Sequence, residues 1–320
     1  MKPKTRSPDV RTLIRQIPAE ARDIPEVVIA NLRPLARVVA IWRQDDGRPG
    51  RWVYLERMYV QEFSVDEVIQ RYGGGDYRGK ILGEWDPEGC AACSAKNHPE
   101  NAYRNGELYA AYTAEALKDT LALAKNSGAS LVGLVTWSFE FEDQAYFEGF
   151  RELATNGIDK PVLNAFRMFG MLGNERVRLT SSAASLSENV LNPGNATIEG
   201  INGFATRKER EVVVLVWNYQ EEDVAGPSAT VSLSILGLPE TAKKTKMERF
   251  RVDRENSNAY TAWQKMGRPE KPSGTQYAEL EAAGKLKMDG SPEWVELDQG
   301  KYELRLELPR QGLALVRLTW

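Results

Sequence analysis

A chain of 320 residues is long enough for two or three domains, each with a hydrophobic core. Its composition, 42% hydrophobic and 27% charged, excludes a disordered or fibrous protein. The net charge of -3 gives no overall basic field that would attract nucleic acid or a membrane surface, and no apolar stretch approaches the roughly 20 residues of a membrane-spanning helix.

The first segment, residues 1–79, is basic compared with the rest of the chain. Residues 1–80 hold 15 Lys and Arg against 11 Asp and Glu, a mild excess that is typical of a solvated surface and does not favour nucleic acid as a partner. Residues 37–42 and 51–56 are predicted as two strands of a hairpin, and a capping box at Ser64 predicts a short helix. We expect a small α+β segment that is unrelated to the rest of the chain.

The second segment, residues 80–175, alternates strands with helices. The pattern predicts a strand at 80–83 ending at Glu84, a long loop at 85–112, a helix at 113–125, a strand at 129–137 and a helix at 161–172. The second of these strands is almost continuously apolar, which indicates a sheet that is buried on both faces. Strands of this kind that alternate with helices predict parallel β/α units.

The third segment, residues 176–320, changes to short strands that Asn, Gly and Pro separate. Several of them alternate apolar and polar residues, which is typical of strands with one solvated face. Five strands are predicted, at 212–218, 229–235, 246–252, 301–308 and 312–319. The segment therefore predicts an antiparallel β-sandwich.

Acidic residues come after both predicted parallel strands. Glu84 ends the first strand, at the edge where barrels and open α/β sheets place catalytic groups, although a solvated carboxylate at a strand end fits its position as well. Glu140, Glu142 and Asp143 come after the second strand, among four aromatic residues. Aromatic faces with nearby carboxylates suit sugar recognition, and a loop with ordinary aromatic packing is the alternative.

The two cysteines, Cys90 and Cys93, are separated by two residues in the predicted loop, with His98 beyond them. The spacing opens a zinc-site pattern, but Tyr103 stands near the position of the fourth ligand, so we expect a pair that holds no metal. Two cysteines are too few for a disulfide-rich secreted scaffold, and the basic start has no apolar stretch behind it that would make a signal peptide. A cytoplasmic location is expected.

Three passages resemble glycoside hydrolase family 39, the family of β-xylosidases and α-L-iduronidases. Gly83-Glu-Trp-Asp-Pro-Glu-Gly-Cys-Ala-Ala-Cys93 resembles the seventh strand of the family's (β/α)8 barrel and the loop after that strand. Thr136-Trp-Ser-Phe-Glu-Phe-Glu-Asp-Gln144 and Gly157-Ile-Asp-Lys-Pro-Val-Leu-Asn-Ala-Phe166 resemble the eighth strand and the last helix. Asn258-Ala-Tyr-Thr-Ala-Trp-Gln-Lys-Met-Gly-Arg-Pro269 resembles part of the accessory β-sandwich.

The resemblance implies a retaining glycosidase that acts on xyloside-type glycosides without a cofactor or a metal. It assigns Glu84 as the catalytic nucleophile, and it places Trp137, Glu142 and Asp143 around the sugar. It also implies that residues 80–175 are the last two or so units of the barrel and that residues 176–320 are the accessory sandwich.

The sequence departs from the family at the general acid/base. In the family this residue is the Glu of an Asn-Glu-Pro motif on the fourth barrel strand, and the present sequence contains no Asn-Glu-Pro. A complete barrel needs about 250 residues, far more than residues 80–175 supply. Two hypotheses remain: a truncated family-39-type glycosidase that has lost its acid/base, or an inactive carbohydrate-binding remnant or fusion protein. The sequence leaves the oligomeric state open, including completion of the barrel by a second chain.

Overall fold

A computed structural model describes residues 28–30, 39–43, 51–56, 80–84, 92–127, 130–136, 138–182, 200–220 and 223–320. The chain divides into two compact units. The first unit comprises Met1–Ala91, Ala116–Trp137 and Leu186–Ala196, and the second comprises Ala92–Glu115, Ser138–Ser185 and Thr197–Trp320. The helix predicted to begin after Ser64 lies outside the described residues.

A five-stranded sheet lies in the first unit. Its strands, in spatial as in chain order, are β1 (Val28–Ala30), β2 (Val39–Arg43), β3 (Arg51–Glu56), β4 (Lys80–Glu84) and β5 (Ser130–Val135). The β2–β3 pair is antiparallel, which confirms the predicted hairpin, and β4 runs parallel to β5, which confirms the predicted parallel pairing. The sheet also joins β3 to β4 in parallel, so the basic segment and the β/α segment share one sheet.

Helix α1 (Glu107–Ser127) lies between β4 and β5 in the chain. The predicted loop at 85–112 is wrong in its second half, because a 3-10 helix spans Pro99–Asn105 and α1 begins at Glu107. Thr113 suggested a helix start, but its hydroxyl donates to the carbonyl of Tyr109 one turn earlier, inside the helix. Burial of Leu108 and its neighbours extends the helix toward its N-terminus.

Two antiparallel sheets make up most of the second unit. Their strands are β8 (Glu175–Val177), β9 (Gly200–Lys208), β10 (Glu211–Tyr219), β11 (Ala229–Ile235), β12 (Lys244–Val252), β13 (Glu293–Glu296), β14 (Tyr302–Leu308) and β15 (Leu313–Thr319). The larger sheet has the order β13-β12-β15-β10-β9-β8, and β11 pairs with β14. Ile235 and Leu308 of the smaller sheet pack in one core with Val214, Val316 and Leu318 of the larger, as a sandwich requires.

Shorter elements precede and interrupt this sandwich. The hairpin of β6 (Ala154–Thr155) and β7 (Ile158–Asp159) leads into α2 (Pro161–Gly170), which begins on a proline as predicted. Two helices that were not predicted from the sequence, α3 (Ala259–Lys265) and α4 (Gly274–Gly284), come after β12.

Side-chain hydrogen bonds fix α2, α3 and α4. The side chain of Asn258 caps α3, and Ser273 with Gln276 forms a complete capping box at the start of α4. The buried side chain of Asn164 on α2 donates to the carbonyls of Ser257 and Gly284, at the ends of the segment that holds α3 and α4. No helix within the described residues is long and apolar enough to cross a bilayer.

A buried carboxylate ties the first half of α1 to the larger sheet. Glu115 accepts a hydrogen bond of 2.6 Å from the indole Nε1 of Trp217 on β10 and two of 3.0 Å from Asn202 on β9. All three residues are buried. Because these donors need acceptors away from water, the contact fixes the position of this part of α1 on the sheet.

Glu248 on β12 makes the stability of the sandwich depend on pH. Its carboxylate accepts a hydrogen bond of 2.8 Å from Lys246 and one of 2.7 Å from the Nε of Arg317, its register partner on β15. The hydrogen bond from Lys246 and then the one from Arg317 lower the pKa of Glu248 below its usual 4.5. Since the folded state holds this carboxylate ionised more readily than the unfolded state, its contribution is present above pH 4.5 and is lost as pH falls through the lowered pKa.

We therefore expect Glu248→Gln to lower the free energy of unfolding at pH 7 and to lose that deficit progressively below pH 4.5. Urea unfolding of both proteins between pH 7 and pH 3 measures the difference. Glu296→Gln, which alters an exposed carboxylate on β13, is the control and should leave the curve nearly unchanged. A deficit that stays constant down to pH 3 would contradict the assigned role of Glu248.

Candidate active site

Glu84 is the last residue of β4, at the carboxyl end of a parallel strand. Its register partners are Val135 at the end of β5 and Glu56 at the end of β3. Three parallel strands therefore end together, and two of them end on a glutamate. Parallel α/β sheets bind and transform their ligands at this edge.

The loop after β5 holds the other candidate residues. Trp137 lies outside the described residues. Glu142 and Asp143 are adjacent and exposed in one turn, where Asp143 adopts a positive φ of 54°. Phe139, in the same loop, exposes 60% of its surface. An exposed aromatic ring with two exposed carboxylates in one short loop offers both a face for a sugar ring and acceptors for its hydroxyls.

A buried ion pair supports this loop. The Nζ of Lys160 lies 2.9 Å from one carboxylate oxygen of Glu152, and both side chains are buried. The other oxygen of Glu152 accepts a hydrogen bond of 3.0 Å from the backbone N–H of Phe141. The backbone of Glu152 also pairs with that of Ser138 in a parallel bridge. Glu152 therefore fixes the loop from inside the protein.

Burial of Lys160 disfavours the charged form of its side chain. Complete burial lowers the pKa of Lys160, and the charge of Glu152 partly opposes this shift. Lys160 also donates to the carbonyl of Phe150, at 3.2 Å. A buried ammonium is tolerated only when it is paired and hydrogen-bonded, and Glu152 supplies the charge that Lys160 requires.

Glu140 has a structural role in the same loop. One of its carboxylate oxygens accepts a hydrogen bond of 2.8 Å from the backbone N–H of Gly157. Asn156 and Gly157 both have positive φ and form the turn between β6 and β7. The sequence grouped Glu140 with Glu142 and Asp143, but the structure uses Glu140 to fasten the β6–β7 turn to the loop.

The segment before α1 is fixed to residues 147–149. The side chain of Asn105 donates to the carbonyl of Phe147 and accepts from the N–H of Gly149. Ser94 donates to the carboxylate of Glu148. Gly149 has a φ of 81°, and a Cβ there would lie 2.7 Å from Ala95, so both the conformation and the space require glycine.

Cys93 is disulfide-bonded, and the only other cysteine in the sequence is Cys90, which lies outside the described residues. A disulfide sulfur does not provide the thiolate that zinc requires. His98 instead lies 3.2 Å from the exposed carboxylate of Glu100. In the described ranges no three His, Cys, Asp or Glu side chains are grouped as metal ligands.

The predicted site residues belong to different parts of the fold. Glu142 and Asp143 lie in one turn of the second unit, and Glu84 lies in the first unit. Glu56 and Phe139 were not predicted from the sequence as site residues. The sequence placed Glu56 at the end of a predicted strand. It did not show that Glu56 is the register partner of Glu84, because that depends on which strands pair in the sheet.

Comparison with known proteins gives a family match. The model for glycosyl hydrolases family 39 matches residues 83–297, a range that contains Glu84, Trp137, Glu142 and Asp143. A β-xylosidase from Geobacillus stearothermophilus is 27% identical over 182 residues, which are 55% of this chain and 30% of that protein. The chain therefore spans about a third of the length of this curated relative.

Solved structures of family 39 share the fold. The family 39 enzyme of Xanthomonas axonopodis pv. citri aligns with a TM-score of 0.62 at 16% identity, over 88% of this chain and 53% of that one. A monomeric β-xylosidase from Caulobacter crescentus CB15 gives 0.59 at 18% identity, over 88% and 54%. A bacterial orthologue of human α-L-iduronidase gives 0.64 at 17% identity, over 79% and 44%. The chain spans about half the length of these structures.

Proposed function

Because the chain belongs to glycosyl hydrolase family 39, we propose that it hydrolyses the O-glycosidic bond of β-xylosides with Glu84 as the nucleophile. The observation that carries this proposal is the position of Glu84. It ends β4, a parallel strand with parallel neighbours on both sides, and it falls inside the range that matches the family. A carboxylate at this edge of the sheet can reach a ligand bound above the strand ends.

In the proposed reaction Glu84 attacks the anomeric carbon of the xyloside. The bond from that carbon to the leaving oxygen breaks, and the leaving oxygen takes a proton from a general acid. Water then attacks the same carbon, loses a proton to the conjugate base and releases Glu84. Two displacements at one carbon give net retention of configuration.

The loop after β5 supplies the sugar contacts in this proposal. Phe139 and Trp137 offer aromatic faces, and Glu142 and Asp143 accept hydrogen bonds from hydroxyl groups. The exposure of Phe139, Glu142 and Asp143 supports this role. So does the hydrogen bond by which the buried Glu152 holds the backbone of the loop at Phe141.

The same proposal extends to the architecture. Residues 80–175 correspond to the last units of a (β/α)8 barrel and residues 176–320 to an accessory sandwich, and strands β1–β3 of residues 1–79 extend the sheet of the barrel units. Two observations support this division. Strands β4 and β5, which α1 connects in the chain, are parallel, and the two antiparallel sheets share one core. The Asn-Glu-Pro acid/base motif is absent from the sequence.

Covalent labelling tests the proposal. A 2,4-dinitrophenyl 2-deoxy-2-fluoro-β-xyloside should leave its sugar on Glu84, because the fluorine slows hydrolysis of the covalent intermediate while the leaving group departs without a proton. Mass spectrometry of the digested protein locates the adduct. Glu84→Gln is the matched control and should remain unlabelled. A folded, unlabelled wild-type protein would contradict the proposal.

A second candidate function is sugar binding without hydrolysis. The exposed Phe139 beside Glu142 and Asp143 favours it, since this group needs no second carboxylate to bind a sugar. The labelling experiment, combined with a xylobiose titration, distinguishes the two functions. Absence of the adduct, together with a tryptophan fluorescence change on adding xylobiose that Trp137→Ala abolishes, would support binding alone.

A further inference from the structure

We propose that Glu56 is the general acid/base that works with Glu84. This inference rests on the proposed glycosidase function. It comes from the register of the first sheet, in which Glu56 at the end of β3 is paired with Glu84 at the end of β4.

The pairing of β3 with β4 is regular along its whole length. Val53, Tyr54 and Leu55 pair in turn with Ile81, Leu82 and Gly83, and the ladder finishes at Glu56 and Glu84. Neighbouring strands lie about 4.8 Å apart, and in-register residues of a parallel pair share one face of the sheet. A retaining glycosidase needs two carboxyl groups about 5–5.5 Å apart. The register therefore places the backbones of these two glutamates about one strand spacing, roughly 4.8 Å, apart, which is close to the carboxyl spacing that retention requires.

The composition of the sheet makes the pairing specific. Across all five strands the acidic residues are Glu56 and Glu84, each the final residue of its strand. The other register partner of Glu84 is Val135, which has no ionisable group. Within the strands of this sheet, Glu56 is thus the one residue beside Glu84 that can exchange a proton with the leaving oxygen.

In this proposal, glutamates on two neighbouring strands carry out every step of the reaction. The protonated carboxyl of Glu56 gives its proton to the leaving oxygen while Glu84 forms its bond to the anomeric carbon. The resulting carboxylate of Glu56 takes a proton from the water that displaces Glu84, which restores both groups to their starting states.

Leaving-group dependence tests this role. For Glu56→Gln and Glu56→Ala we expect kcat/KM on phenyl β-xyloside to fall by about 10²–10⁴-fold, because phenolate needs a proton to leave. On 2,4-dinitrophenyl β-xyloside, whose leaving group needs none, kcat/KM should stay near the wild-type value. The variants should also lose the alkaline limb of the pH profile on phenyl β-xyloside.

Azide gives a second readout that a structural role would not produce. In Glu56→Ala, azide can displace Glu84 from the sugar without base assistance, so added azide should raise turnover and form β-xylosyl azide, with retained configuration. Glu296→Gln, an exposed carboxylate in the second unit, is the control and should behave as wild type. Labelling of Glu84 in Glu56→Gln reports that the isosteric variant is folded, so the test stands if Glu56→Ala does not fold.

The outcomes separate the two proposals. Equal losses on both substrates without azide product, or no loss at all, would overturn the role of Glu56 and leave Glu84 and the glycosidase function intact, provided that wild-type Glu84 is labelled. Failure to label wild-type Glu84 would overturn the glycosidase function, and the role of Glu56 with it.

Discussion

Glu84→Gln is expected to lower kcat on 2,4-dinitrophenyl β-xyloside by about 10⁴-fold or more, since removal of a nucleophile removes the covalent route itself. The amide of Gln matches the carboxylate in size but does not attack the anomeric carbon. This leaving group departs without a proton, so the loss is independent of the acid/base. Steady-state release of dinitrophenolate measures it.

The stereochemistry of rescue identifies the role of Glu84. In Glu84→Ala, azide can enter the space of the lost carboxylate and attack the anomeric carbon once, which gives α-xylosyl azide with inverted configuration. Loss of Glu56 gives the opposite anomer under the same conditions. Glu175→Gln, which removes an exposed carboxylate paired with Arg207, should retain wild-type turnover. A Glu84→Gln protein with wild-type turnover would show that Glu84 is not the nucleophile.

The strands of the fold could be predicted because their signals are local. The alternation in 229–235 and the apolar run in 212–218 each fall within one strand of the structure, β11 and β10. The capping box of Ser273 and Gln276 was also present in the sequence, so α4 could have been found from it. The start of α1 was misplaced because Thr113 can cap a helix or bond back to a carbonyl within one, and burial of the preceding turn decides which.

Contacts between residues that are far apart in the sequence could not be predicted in the same way. Glu115 and Trp217 are 102 positions apart, and no local pattern links a helix glutamate to an indole on a distant strand. The register of Glu56 with Glu84 depends on β3 adding to the sheet beside β4, although the sequence indicated that the two belong to separate segments. The family resemblance predicted Glu84 as a site residue, and only the sheet showed that a second glutamate, Glu56, is its register partner.

Glu152→Gln is expected to lower the free energy of unfolding by about 3–5 kcal/mol at pH 7, because it leaves the buried ammonium of Lys160 without a counter-charge. The amide oxygen can still accept the hydrogen bond from Phe141, so the loss reports the charge and not the loop contact. Lys160→Met should cost a similar amount by leaving Glu152 unpaired. Urea unfolding followed by tryptophan fluorescence measures each value.

Two further comparisons show whether the charge is the cause. The double variant Glu152→Gln/Lys160→Met should recover much of the loss, because no uncompensated charge remains, whereas Glu281→Gln in the exposed Glu281–Lys285 pair should cost less than about 1 kcal/mol. In wild type the charge of Glu152 partly opposes the lowering of the Lys160 pKa by burial. Glu152→Gln removes that charge, so the pKa of Lys160 falls further below its ordinary value and the folded state releases this proton more readily than the unfolded state. Stability of the variant should therefore rise relative to wild type as pH increases toward 10.5, the ordinary pKa of lysine. A deficit that is independent of pH, or additive in the double variant, would show that packing and not charge holds this loop in place.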